Sequence, residues 1–155
     1  MRKKSDQFWM STAIELAKQA GERGEIPVGA VLILDDKIIG RGRNQSIERN
    51  DPTAHAEIQA LREGGSKIGN YRLSGSKIYV TIEPCTMCFG ALVHARIEKL
   101  VFGAKESKSG ALTSVSEVSR QNSFNHRFNV IDGILEDECS QLMTNFFQAR
   151  RTEWR

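Results

Sequence analysis

Two short stretches, His55-Ala56-Glu57 and Pro84-Cys85-Thr86-Met87-Cys88, constrain this chain more than any other feature. Four of their side chains carry chemistry only if the fold brings them together. Cys85 and Cys88 are three apart, so on a helix their sulfurs share one face and can share a metal. Pro84 suits the first turn of that helix, where its missing N–H costs nothing. His55 and Glu57 are two apart, roughly 200° around a helix axis. They diverge in mid-helix and converge only near a helix start, with the site end-on to the axis. Asp51-Pro52-Thr53 offers capping residues just ahead of such a start, and Ile58 and Leu61 continue the apolar pattern. The spacing therefore predicts two helix N-termini meeting at a metal, where their dipoles favour thiolate over thiol.

His55, Cys85 and Cys88 make three ligands and leave a fourth tetrahedral position open, which marks a catalytic zinc site. Zinc there brings the pKa of a water to near neutrality and so supplies a hydroxide nucleophile. Glu57 is then the proton carrier. Each half of the pattern is weak alone, since C-x-x-C is common and H-x-E carries almost no weight. The ordered pair, about 30 residues apart, is similar to the signature of zinc deaminases of nucleobases. The competing reading is a closed structural zinc with Cys139, His94 or His126 as fourth ligand. His94 lies six residues beyond Cys88, an awkward reach. Cys139, in the helical run Asp137–Phe147, reads more simply as a small buried thiol. His126, after polar Asn122-Ser123-Phe124-Asn125, reads as a surface residue.

The 155 residues are read as one domain, 1–155. No apolar run approaches about 18 residues, so no membrane span is expected. The basic start Arg2, Lys3, Lys4 is followed by no apolar stretch, which argues against a secretory signal. Three cysteines, two of them assigned to metal, suit a reducing compartment, and a cytoplasmic location is expected. A net charge of +3 is compatible with a nucleic-acid partner without establishing one.

Along the chain, residues 6–23 read as an amphipathic helix capped by Ser5 or Asp6, with Phe8, Trp9, Ile14, Leu16, Ala17 and Ala20 on its apolar stripe. Val28–Leu34 reads as a strand buried on both faces. Asp35-Asp36 turns it into a returning strand, Lys37–Arg43, whose Gly40-Arg41-Gly42 is too short for a phosphate loop. A polar loop, 44–53, follows. Asn44 lies on it close in sequence to His55, and an amide there offers both a donor and an acceptor to a base edge. Residues 54–63 form the first metal helix, stopped by Gly64-Gly65. Lys77–Ile82 is a buried strand that delivers Cys85 at its C-terminal edge. Then come the second metal helix (85–96), a strand (Lys99–Gly103), one helical turn around Val115 and Val118, a short strand (Phe128–Ile131) and a last helix (136–151). The basic end of that helix, Arg150, Arg151 and Arg155, reads first as a solvated helix end, with phosphate contact as the alternative. The order predicts a three-layer α/β/α sandwich on a mixed five-stranded sheet.

Beyond the metal motif the chain resembles the bacterial tRNA-specific adenosine deaminases, within the cytidine deaminase-like superfamily. The resemblance runs through Ile26-Pro27-Val28-Gly29-Ala30-Val31, Asn44, Asp51–Ile58, Asn70-Tyr71-Arg72-Leu73, Glu83-Pro84-Cys85 and Ala95-Arg96-Ile97. It continues through Val101–Ala104, Asn125-His126-Arg127 and Phe146-Phe147. The Asp-Pro-Thr-Ala-His-Ala-Glu run is similar in guanine deaminases, so the later segments tilt the match to tRNA. The resemblance implies hydrolytic conversion of adenosine to inosine at the wobble position of an arginine tRNA anticodon. It also implies one Zn2+ per subunit and a homodimer that receives splayed anticodon loops. His55, Cys85 and Cys88 would hold zinc and Glu57 would shuttle protons. Asn44 would contact the base, Val28 and Ala54 would shape its pocket, and Phe147 would lie along the loop. Glu106 stands where the family commonly has Asp near a flanking ribose, which keeps the charge and lengthens its reach. A deaminase of a free base or nucleoside, of guanine or cytosine type, shares this zinc chemistry. A non-catalytic RNA-binding zinc module is the other rival, and Glu57 argues against it.

Overall fold

The computed structural model describes residues 2–106, 110 and 126–153. Its elements in chain order are α1 (Asp6–Glu22), β1 (Gly29–Leu34), β2 (Lys37–Arg43), α2 (Ala56–Ile68) and β3 (Lys77–Ile82). They continue with α3 (Thr86–Ala95), β4 (Lys99–Ala104), β5 (Asn129–Ile131) and α4 (Glu136–Glu153). The expected turn at Val115 and Val118 lies outside the described residues.

The five strands form one sheet in the order β2-β1-β3-β4-β5. β1 pairs antiparallel with β2 and β3, whereas β3–β4 and β4–β5 are parallel, so the sheet is mixed as expected. Asp35 and Asp36 both take positive φ, as a tight two-residue hairpin turn requires. Side chains alternate across each strand with a period of two. Ala30, Leu32, Ile78, Val80, Leu100 and Phe102 face one core with Ala56, Ala60, Phe89 and Leu92 of α2 and α3. Val31, Ile33, Tyr79 and Val101 face the other core, with Trp9, Met10, Ala13 and Ile14 of α1 and Cys139 of α4. Helices on both faces explain why these strands are apolar throughout.

In α1 the Ser5 hydroxyl accepts the Phe8 N–H, and Asp6 sits in the first turn where the helix dipole favours it. Its buried stripe is Trp9, Met10, Ala13, Ile14, Ala17 and Ala20. Phe8, expected on that stripe, is exposed and stands edge-on to Trp9.

The glycines of α2 correct the sequence reading, and those of β2 add to it. Gly40 and Gly42 have a structural role, since a Cβ on them would run into the carbonyl oxygens of Ala60 and Ala56. Their bare backbone lets α2 lie directly on β2. Gly64 does not stop α2 but lies within it, because a Cβ there would meet Leu32 Cδ2 at 2.5 Å in the core. The helix runs on to Ile68 and ends at Gly69, whose φ of 76° closes it in the left-handed region. At the far edge β5 is shorter than expected. Phe128 leaves the strand to pack on Phe89, with ring centroids 5.4 Å apart.

Candidate metal centre and its surroundings

β3 ends at Ile82, and the chain then enters Glu83-Pro84-Cys85, so the site lies at the C-terminal edge of the sheet. Cys85 is the N-cap of α3, with extended backbone at φ −73° and ψ 174°, and Cys88 lies in the first turn. His55 is the N-cap of α2, at φ −76° and ψ 158°, and Glu57 lies in its first turn. Two helix N-termini thus meet, but their caps differ from expectation. Neither His55 nor Cys85 makes a side-chain cap bond, which leaves each free for its neighbours across the gap. Asp51 does not cap α2. Its Oδ1 accepts from Thr53 N (2.8 Å) and Thr53 Oγ1 (2.7 Å) and closes a turn ahead of the helix. Pro84 precedes the α3 cap and is not in its first turn.

His55 Nδ1 lies 3.6 Å from Cys85 Sγ and 3.5 Å from Cys88 Sγ. All three donor atoms fall within 4.8 Å of one another, a cluster that could hold a metal ion. The spacing fits zinc. Zinc–nitrogen and zinc–sulfur bonds of about 2.0 and 2.3 Å at tetrahedral angles put N and S about 3.5 Å apart. The thiols share protons accordingly. A hydrogen bond from Cys88, reinforced by His55, lowers Cys85 to about 4, while Cys88 is pushed up as the donor of that bond. The bond with Cys85 also raises His55. A divalent cation is the natural replacement for those protons.

Glu57 is 3% exposed beside this cluster. Burial raises its carboxyl to about 7, against the weaker opposing pull of its own backbone N–H. A carboxyl poised near neutrality can both take and return a proton at working pH.

The backbone gathers three further predicted residues ahead of His55. Asn44 N donates to Val28 O (3.1 Å), and Gln45 N donates to Ala54 O (2.9 Å). Asn44 is 8% exposed, and its Oδ1 accepts from Ser46 Oγ at 3.0 Å. Sequence reading missed what holds this loop. Glu25, 2% exposed, accepts the N–H groups of Ile47 (3.1 Å) and Glu48 (2.9 Å). Its only signal was an acid ahead of Ile26-Pro27, which periodicity does not register. Glu106 is half-buried after β4, and its N–H donates to Glu83 Oε1 at 3.1 Å.

Other candidates fall elsewhere. Phe147 is exposed on α4 and stands edge-on to Phe146. Arg150, placed in a solvated basic end, instead donates to the Gly24 carbonyl and covers the Phe146 ring, so it ties α4 to the turn that follows α1. Arg155 lies outside the described residues. None of the three alternative fourth ligands joins the cluster. Cys139 is buried under Gly103 in the α1-side core, and burial lifts its thiol to about 12. His94 is exposed near the end of α3. His126 is half-buried, and its Nε2 lies 2.7 Å from the Ile97 carbonyl, to which it donates.

Known proteins match this architecture over nearly its full length. The profile of the MafB19-like deaminase family matches residues 4–151. The tRNA-specific adenosine deaminase of Haemophilus influenzae is 53% identical over 154 residues, covering 99% of this chain and 89% of that one. A solved structure from work on A-to-I editing by tRNA:A34 deaminases at the wobble position of transfer RNA superposes with a TM-score of 0.85. It is 43% identical and covers 87% of this chain and 98% of that one. A guanine deaminase from Nitrosomonas europaea superposes with a TM-score of 0.78, covering 94% of this chain and 86% of that one. At 23% identity it shares the fold alone.

Proposed function

The chain belongs to the tRNA-specific adenosine deaminases, and from that membership we propose that it converts the wobble adenosine of an arginine tRNA anticodon to inosine, with water consumed and ammonia released. The observation that carries the mechanism is Glu57, a buried carboxyl held at the same helix start as His55 and facing the two cysteines. His55 Nδ1, Cys85 Sγ and Cys88 Sγ would hold one Zn2+. When bound there, the ion acts as a Lewis acid that makes a water acidic near neutral pH. Glu57 takes a proton from the attacking water and passes it to the purine ring nitrogen. It then takes the second proton from the hydroxyl now on the reacting carbon and delivers it to the amine, so that a C=O forms as the C–N bond breaks with loss of ammonia.

Asn44 spends its Oδ1 on Ser46, which leaves its amide N–H groups for the base. Val28 and Ala54, joined to that loop through the backbone, form the apolar wall of the pocket. Glu106 addresses the ribose of a flanking nucleotide, and Phe147 offers an exposed ring to the anticodon loop. The working unit is a homodimer. An open cleft of about 710 Å³ between α2 and α3, where apolar Ile58, Leu61 and Tyr71 stand beside polar Arg62, Asn70 and His94, is the face this reading assigns to the second copy. No helix among the described residues is long and apolar enough to cross a membrane. The place of action is the cytoplasm, where tRNA is modified.

The test is inosine formation in an arginine tRNA carrying adenosine at the wobble position, run beside the same tRNA with guanosine there and a panel of free bases. Inosine in the adenosine-bearing tRNA alone is the expected result. Ammonia from free guanine or cytosine with no tRNA product would overturn the substrate and leave the metal chemistry standing.

A further inference from the structure

The mechanism above gives no task to Glu83, yet its side chain is 2% exposed. A carboxylate that deep is tolerated only when its oxygens are hydrogen-bonded. Its main-chain N–H donates to Ala104 O at 2.8 Å, the bond that closes the last β3–β4 pair, Ile82 with Ala104. Its Oε1 accepts the main-chain N–H of Glu106 at 3.1 Å. Cys85 forms an isolated antiparallel bridge with Gly110. A Cβ at Gly110 would lie 2.6 Å from both carboxylate oxygens of Glu83, so this glycine leaves the space the carboxylate occupies. One buried carboxylate therefore meets the chain at Glu106 and again at Gly110, and Gly110 is bridged to a metal-cluster cysteine.

We propose that Glu83 is a positioning residue for substrate: its carboxylate fixes Glu106 and Gly110 against the metal centre, and so sets how firmly the nucleotide beside the reactive adenosine is held. This rests on the substrate reading above. Glu83 touches neither the base nor the metal ligands' donor atoms in this role. It acts through the backbone of Glu106, and Gly110 is its steric counterpart.

The experiment uses the full chain loaded with zinc and an anticodon stem-loop RNA carrying adenosine at the wobble position. Glu83→Ala, Glu83→Gln, Gly110→Ala and the double Glu83→Ala/Gly110→Ala variants are compared for zinc content, KM, kcat and amide hydrogen exchange at Glu106. Glu83→Ala is expected to keep one zinc per chain, to raise KM about tenfold with kcat little changed, and to lose exchange protection at Glu106. Glu83→Gln keeps an oxygen acceptor and stays within about threefold of the parent KM. Gly110→Ala, which displaces the carboxylate, raises KM in the same way. The double variant is no worse than Glu83→Ala, because the new methyl enters the space the carboxylate left. Loss of zinc, a fall in kcat at constant KM, or additive effects in the double variant would each overturn the proposal. Should the parent make no inosine from this RNA, the adenosine reading fails by itself, and exchange at Glu106 still decides the role of Glu83.

Discussion

The starts of α2 and α3 look alike and are built differently. Each puts a metal-cluster residue at its N-cap, with extended backbone and no side-chain cap bond. Each places a second chemical group in its first turn, Glu57 in one and Cys88 in the other. At α3 the cap and first turn supply two sulfurs for one cluster, as a spacing of three allows. At α2 a spacing of two sends only His55 into the cluster and leaves Glu57 beside it, buried and free of metal duty. In the proposed mechanism one helix start supplies a pair of ligands, whereas the other divides binding from proton transfer. The support differs as well. α2 rests on the bare backbone of Gly40 and Gly42, while Gly90 in α3 has nothing within 4 Å of where its Cβ would stand.

The largest effects come from separating those duties. Cys88→Ser is expected to lose zinc, measured as metal per chain, and all detectable turnover with it. Glu57→Ala is expected to keep zinc and the thermal transition while turnover falls by about 10²–10⁴-fold. Retained activity in Glu57→Ala would sink the division between the two helix starts.

The next contrast makes one substitution on two supports. Gly42→Ala drives a methyl into the Ala56 carbonyl at the start of α2. It should cost about 1–3 kcal/mol in denaturant unfolding and weaken zinc retention. Gly90→Ala enters open space within a helix and should stabilise by about 0.4–1 kcal/mol. Equal effects of the two would mean that the supports do not differ.

Thiol chemistry gives a smaller and cleaner readout. In chelator-treated folded protein, Cys85, held at about 4, should alkylate near neutral pH, whereas Cys139, at about 12 and buried, should resist until unfolding. Peptide mapping after timed alkylation checks this.

The smallest effect concerns the loop leading to α2. Glu48 is held at about 2, first by Gln45 and then by Arg43. Its folded pKa lies below the ordinary 4.5, so its contribution is complete above that pH and is lost as pH falls toward about 2. Glu48→Gln should therefore flatten the acid limb across that window by lowering stability slightly above pH 4.5 while leaving it unchanged near pH 2, and the effect stays small because the group is exposed.

Much of the fold was legible because it rests on local regularity. Continuous apolar runs at β1, β3 and β4 marked strands covered on both faces, and Asp35-Asp36 marked the hairpin. The boundary of α2 was misread because a glycine pair resembles a stop when its neighbours are unknown. Gly64 is a packing residue against Leu32, which is distant in the chain. The partners of Glu25 and Glu83 escape a local reading for the same reason. Glu25 bonds to Ile47 and Glu48, and Glu83 to Glu106, each more than twenty residues away.

By itself the sequence determined that His55, Cys85 and Cys88 cluster where two helices begin. Spacings of two and three along a helix dictate which side chains can converge, whatever lies around them. Only the tertiary structure decided which residues cap those helices, which glycines serve contact and not termination, and which carboxylates bear the loops. Those outcomes depend on strand register and on close backbone approach, and neither is written in any local window of the chain.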